Sequence, residues 1–98
     1  KSKGRTKEED QKIGVGLMAI FSELGAKKEQ HPEDREVQQL VRKLQDYISQ
    51  HYYTCSKEIL SSLGCAYAAG DSMTKNIDAA GGEGTAEFAS RAIQIYCS

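Results

Sequence analysis

The sequence predicts one all-α domain of about five short helices, and three observations carry that expectation. Apolar residues recur three and four positions apart along most of the chain, the spacing of a helix buried on one face. Ser, Thr, Asp and Gly punctuate those stretches where helix starts and stops belong. No stretch alternates apolar and polar residues in the manner of a strand. A length of 98 residues suffices for one domain and not for two.

The first helix is expected over residues 6–25, with Thr6 as its cap and Glu8 and Glu9 at the positive end of its dipole. Ile13, Leu17, Ile20, Phe21 and Leu24 form its apolar stripe, Met18 widens it, and Gly25 is placed to end it. Gly14 and Gly16 cost about 1 kcal/mol each relative to Ala, and we read them as local weakness rather than as a close helix crossing. A polar loop over 26–31 follows, and Pro32 suits the first turn of a second helix, with Glu33, Asp34 and Glu36 at its start. That helix carries the cleanest stripe, Val37, Leu40, Val41, Leu44, Tyr47 and Ile48, of which Leu40, Val41, Leu44 and Ile48 should face inward.

A third helix is expected from about Thr54 to Ala69, stopping at Gly70. Residues 70–80 read as one or two turns capped by Asp71 or Ser72, and Gly81-Gly82-Glu83-Gly84 as a flexible loop. Thr85 is placed to cap the last helix, whose buried face would be Phe88, Ala92, Ile93, Ile95 and Tyr96.

Composition excludes several function classes. The net charge is −1 and basic residues cluster only at Lys1-Ser2-Lys3-Gly4-Arg5, so the chain lacks the basic stripe that neutralises phosphates. Residues 1–5 read as a linker or expression remnant and 6–98 as the domain proper. A start at Lys1, without Met, is expected of a piece of a longer protein. No apolar run approaches a membrane span, and no signal-peptide core is visible. Three cysteines at irregular spacing do not form a secreted disulfide framework and fit a reducing cytoplasm.

Few residues invite chemistry. Cys55 falls in the first turn of the expected third helix, where the dipole lowers a thiol pKa, with His51 four residues before it. The competing reading is a small buried hydrophobe, the usual state of a free cysteine. Cys65 cannot bridge to Cys55 along one helix, since about 1.5 Å per residue puts them about 15 Å apart. His51 and Cys55 are too few for a metal site, and His31 has no evident partner. No nucleophile–base–orienter set and no phosphate-binding glycine loop after a strand can be found, so neither an enzyme nor a cofactor is expected. Tyr47, Tyr52, Tyr53, Tyr67 and Tyr96 suit either a pocket wall or the rim of the core, because each joins an apolar ring to a polar tip.

The run Tyr52-Tyr53-Thr54-Cys55-Ser56-Lys57-Glu58-Ile59-Leu60, followed by Leu63-Gly64, Tyr67, Asp71 and Asn76-Ile77-Asp78, resembles the TipAS domain. So do Ala86-Glu87-Phe88, Ala92-Ile93 and Tyr96-Cys97, whereas the first half is similar in helical pattern only. The resemblance implies a globin-like helical fold without haem, forming the C-terminal effector half of a MerR-family transcription activator. It implies a cleft for bulky hydrophobic natural products such as thiopeptides, and a full-length homodimer that touches DNA through a separate N-terminal part. Cys55 meets a cysteine of the thiopeptide-binding members, Ser62 falls where they carry a second, Ala66 where Met is common, and Met73 where an aromatic is common. The ligand-binding wall expected on this basis is Met18, Phe21, Tyr53, Cys55, Ile59, Ser62, Tyr67, Met73 and Asn76. Dehydroalanine groups of thiopeptides are electrophiles that a reactive thiol could trap.

Two classes of function are therefore weighed: a ligand-sensing binding module, and a small helical interaction domain with no small-molecule ligand. An open cavity of a few hundred Å³ supports the first and a closed core the second. Under either, the isolated chain should not bind duplex DNA at physiological salt. A gel shift at micromolar protein that weakens steeply with added salt would contradict this.

Overall fold

Helices allow the apolar stripes of this chain to be buried while the backbone pairs with itself. The computed structural model describes residues 7–98, and among them it contains five helices and no strand. They are α1 (Lys7–Ala26), α2 (Arg35–His51), α3 (Lys57–Tyr67), α4 (Ser72–Gly81) and α5 (Thr85–Cys97). The all-α class expected from the sequence is the class the chain adopts. The expected Thr6 cap and the linker over 1–5 lie outside the described residues.

The core is built from one face of each helix. α1 contributes Leu17, Ile20, Phe21 and Leu24, and α2 contributes Val37, Val41, Leu44 and Ile48. Leu40 is half-buried and packs at the core's edge. Leu60 and Tyr67 of α3 and Ile77 of α4 close the sides. α5 packs against each of the other four helices. Its Ala86, Ala89 and Ala92 let neighbours approach, while Phe88 and Ile93 fill the space between. Ile95, expected on the buried face, is 40% exposed. Two residues past Ile93 is more than half a turn of helix, which carries its side chain to the solvent side.

Two glycines have roles other than those expected. Gly25 does not end α1 but lies inside it, packed against Gly81 at the end of α4. A methyl on Gly25 would lie 2.5 Å from the Gly81 Cα and 2.7 Å from its carbonyl carbon. A methyl on Gly81 would meet Thr85 at 2.7 Å and the Phe21 carbonyl at 2.8 Å. The two helices thus touch backbone to backbone. Gly16, read from sequence as a weak point, is where the Tyr47 ring docks on α1, and the Tyr47 hydroxyl donates to the Ile13 carbonyl at 2.6 Å. α1 runs unbroken through both Gly14 and Gly16.

Helix starts also differ from expectation. Pro32 precedes α2, because the Asp34 N–H closes a turn onto the His31 carbonyl (3.0 Å) before the helix begins at Arg35. The Pro32 carbonyl accepts instead from the Gln38 side chain (2.7 Å), which also reaches the Ala92 carbonyl of α5 (3.1 Å). α3 begins at Lys57 rather than Thr54, because Ser56 takes the cap and accepts from the Ile59 N–H at 3.2 Å. α4 is a full helix of 10 residues rather than one or two turns. The loop after it is a defined turn, with Gly82 and Gly84 at left-handed φ values of 99° and 89°. The start of α5 is capped by Asp78, whose Oδ1 accepts from the Ala86 N–H at 2.9 Å. Thr85, the expected cap, is fully buried and donates its hydroxyl to the Gly82 carbonyl at 2.6 Å.

These contacts rank three substitutions. Gly14→Ala, where a methyl would meet no heavy atom within 4 Å, should stabilise the domain by about 0.5–1 kcal/mol. Gly25→Ala should destabilise it by about 1–3 kcal/mol through overpacking. Leu44→Ala, at a fully buried site, should destabilise it by about 2–5 kcal/mol. Urea unfolding midpoints would rank the three, and similar effects for the two glycines would contradict the α1–α4 contact.

Candidate functional site

The helices do not close everywhere. An open cleft of about 510 Å³ lies between α1, the end of α2, α3 and the start of α4. Gly14, Leu17 and Met18 supply the α1 wall, at the one-turn spacing that puts them on one face. Leu63, Ala66 and Tyr67 supply the α3 wall in the same way. Ile48 of α2 and Met73 of α4 also reach it. Tyr52 and Tyr53, in the link between α2 and α3, complete the lining. Among the described residues, no Asp, Glu, Lys or Arg contributes to it.

Each wall is held by contacts behind it. The Tyr67 ring meets Phe21 edge to face, with centroids 5.2 Å apart and planes at 82°, the arrangement aromatic quadrupoles favour. The Thr74 hydroxyl donates to the Tyr67 carbonyl at 2.5 Å and accepts from the Gly70 N–H at 2.9 Å, tying the end of α3 to the start of α4 and so placing Met73. The Tyr52 and Tyr53 N–H groups both donate to the Ile48 carbonyl, at 2.9 and 3.1 Å. Further along the link, the Cys55 N–H donates to Ser49 Oγ (3.0 Å) and the Cys55 carbonyl accepts from Gln45 Nε2 (2.9 Å). Gln45 in turn accepts from the Tyr96 hydroxyl of α5 at 2.7 Å. The link backbone is pinned, while Tyr52 and Tyr53 stay 43% and 50% exposed, too open to serve as core filling.

The expected site residues separate into three groups. Met18, Tyr53, Tyr67 and Met73 come together in the cleft wall. Phe21 is fully buried and supports the wall from behind through Tyr67. Cys55, Ile59, Ser62 and Asn76 lie outside the lining, the last three exposed to solvent. Cys55 corrects the sequence reading most sharply. Because Ser56 takes the cap, Cys55 precedes α3 rather than occupying its first turn. The thiol is 4% exposed, and burial, with a smaller push from Cys97, raises its pKa instead of lowering it. Gly14, Leu17, Ile48, Tyr52, Leu63 and Ala66 line the cleft without being in the expected ligand-binding set. One helical turn back from Tyr67 finds Leu63, three residues on from Leu63 finds Ala66, and one turn back from Met18 finds Gly14.

Burial also pushes the Tyr67 hydroxyl well above the usual tyrosine range, helped by nearby Tyr53, Cys55 and Tyr52. The folded state therefore holds this proton more tightly than the unfolded chain does. The stability tied to it is intact below the unfolded value of about 10 and is lost as pH climbs above it.

The fold and the cleft together define a small helical domain that keeps an uncharged, aromatic-lined cleft open between its helices. The chain belongs to the TipAS antibiotic-recognition domain family, whose model matches residues 1–96. The match thus covers the first half, where the sequence alone offered only a helical pattern. The chain is also 35% identical over 79 residues, 81% of its length, to the HTH-type transcriptional activator mta of Bacillus subtilis (strain 168). It spans about 30% of the length of that relative. No solved structure matches the chain. No helix among the described residues is long and apolar enough to cross a membrane.

Tyr67→Phe should keep the edge-to-face contact with Phe21 but flatten the loss of stability above about pH 10. Thermal unfolding followed from pH 8 to 11 would show it, and an unchanged alkaline slope would remove Tyr67 from the account.

Proposed function

We propose that this domain is the ligand-sensing module of a MerR-type transcription activator, binding bulky hydrophobic natural products in the cleft between α1, α3 and α4. The observation that carries the reading is an open, uncharged cleft of about 510 Å³ in a member of an antibiotic-recognition family. An apolar pocket with a few polar groups suits a small molecule, and the hydroxyls of Tyr52, Tyr53 and Tyr67 supply such groups here. Met18 and Met73 add side chains that adapt to different ligand shapes. The relative is a transcriptional activator, and the role read for this chain is sensing rather than catalysis.

In this reading a ligand bridges walls from different parts of the chain and stabilises one arrangement of α1 against α3. That arrangement biases the DNA-binding part of a cytoplasmic, homodimeric protein, because a ligand shifts an equilibrium toward the state it binds better. Thiopeptides and other large aromatic natural products are the ligand classes to test first. DNA contact belongs to the rest of the protein and not to this domain.

Ala66 is exposed and lines the cleft, so Ala66→Trp should fill it without disturbing the core. A thermal-shift screen with thiopeptides and large aromatic natural products should raise the melting temperature of the parent chain. At ligand one hundred times its Kd the stabilisation is about 2.7 kcal/mol, and Ala66→Trp should abolish it. No shift with any compound would leave the helical interaction domain as the better reading.

A further inference from the structure

The walls of the cleft restrict what it holds and how. Resting on the sensing reading above, we propose that the cleft selects an uncharged aromatic or aliphatic ligand and holds it reversibly, without a covalent bond to the protein. Two independent features of the chain lead there.

The first is charge. Every described residue that lines the cleft is Gly, Ala, Leu, Ile, Met or Tyr. Among the described residues a cation entering it leaves water and finds no carboxylate, and an anion finds no Lys or Arg. The faces of Tyr52, Tyr53 and Tyr67 return part of the cost for a cation and none for an anion. A neutral ligand meets no such penalty. Its carbonyl, ether or ring-nitrogen atoms can accept from the tyrosine hydroxyls, while its rings stack on the aromatic walls.

The second is the absence of a nucleophile in the lining. All three cysteines are free thiols, and none lines the cleft. Cys55 is 4% exposed, with its Sγ 3.7 Å from the Ser56 carbonyl, and its backbone is fixed on both sides by Ser49 and Gln45. Cys65 is exposed but lies toward α5, 3.6 Å from Gln94 Nε2. Cys97 belongs to a separate groove with Lys57, Ser61 and Gln94. Addition of a thiol across an electrophilic alkene requires the sulfur to reach the alkene carbon, and a ligand in the cleft meets no sulfur except the thioethers of Met18 and Met73.

Three fluorescent probes of similar aromatic character separate the possibilities: Nile red (neutral), rhodamine 6G (cationic) and anilinonaphthalene sulfonate (anionic). Each is titrated into the purified chain and into Ala66→Trp. The expected result is Nile red binding that Ala66→Trp removes, at least about tenfold tighter than either charged dye, a difference of about 1.4 kcal/mol. Equal or tighter cleft binding by a charged dye overturns the selectivity. In a second arm the chain is incubated with a thiopeptide bearing dehydroalanine, with and without saturating Nile red, and its intact mass is measured. The expected result is no adduct that Nile red suppresses. A Nile-red-sensitive adduct, mapped to Cys55, overturns the reversible mode while leaving the sensing reading in place. If no dye binds in a manner that Ala66→Trp abolishes, the sensing reading fails and this inference fails with it.

Discussion

The backbone contact between Gly25 and Gly81 is the constraint on which the rest of the domain depends. With no side chain between them, α1 and α4 approach closely enough for the Phe21 carbonyl to reach Gly81. This sets Phe21 in the core, where its ring meets Tyr67, and so fixes the back of the cleft. The same contact places the Gly82–Gly84 turn beside the chain that leaves α1. There the Lys28 ammonium donates to the Gly81 and Glu83 carbonyls, at 3.4 and 3.0 Å, where the end of a helix favours positive charge. α5 then starts where Asp78 can cap it. The surface ion pairs Lys43–Glu23 and Lys27–Glu36 are largely solvated and add little to this framework.

Packing is uneven by design of the sequence. On the α5 side small residues allow intimate contact, and Ser61 and Gln94 exchange hydrogen bonds at 2.8 and 2.9 Å across the α3–α5 seam. On the other side α1, α3 and the Tyr52–Tyr53 link stay apart. An open apolar cleft in so small a domain forfeits burial that a closed bundle would gain. The dense seam around α5 offsets that loss and keeps the cleft walls fixed while their inner surfaces remain available.

How much could be read from sequence follows from how strongly each segment signals. The buried face of α2 was largely legible because its apolar stripe has a polar opposite face, although its start was placed too early. α4 was read too short because it buries only Ile77 and is otherwise small and polar, so its helix is set by tertiary contacts and not by pattern. Gly25 and Gly16 were misjudged for a related reason: without the facing segment, a glycine at a close contact looks like a helix end or a weak point. Within the cleft, Met18, Tyr53, Tyr67 and Met73 were legible as adaptable or amphipathic side chains. Leu17, Ile48 and Leu63 were not, because the same residues serve equally in a core, and only the splay of the helices decides. For Cys55, a cap at Ser56 rather than at about Thr54 reverses its chemistry.

The turn joining α4 to α5 bears on the order in which the domain assembles. The Asp78 cap on Ala86 spans only 8 residues, whereas the Lys28 tie to Gly81 spans 53. Closing a short loop loses less chain entropy than closing a long one, so loop closure favours the pairing of α4 with α5 over the docking of α1 onto α4. The cleft draws its walls from α1, α2, α3 and α4, so it is complete only once α1 has docked. Its integrity is a report on whether the whole chain has reached its native arrangement, and a compound that occupies it reads out completed folding as much as it reads out shape.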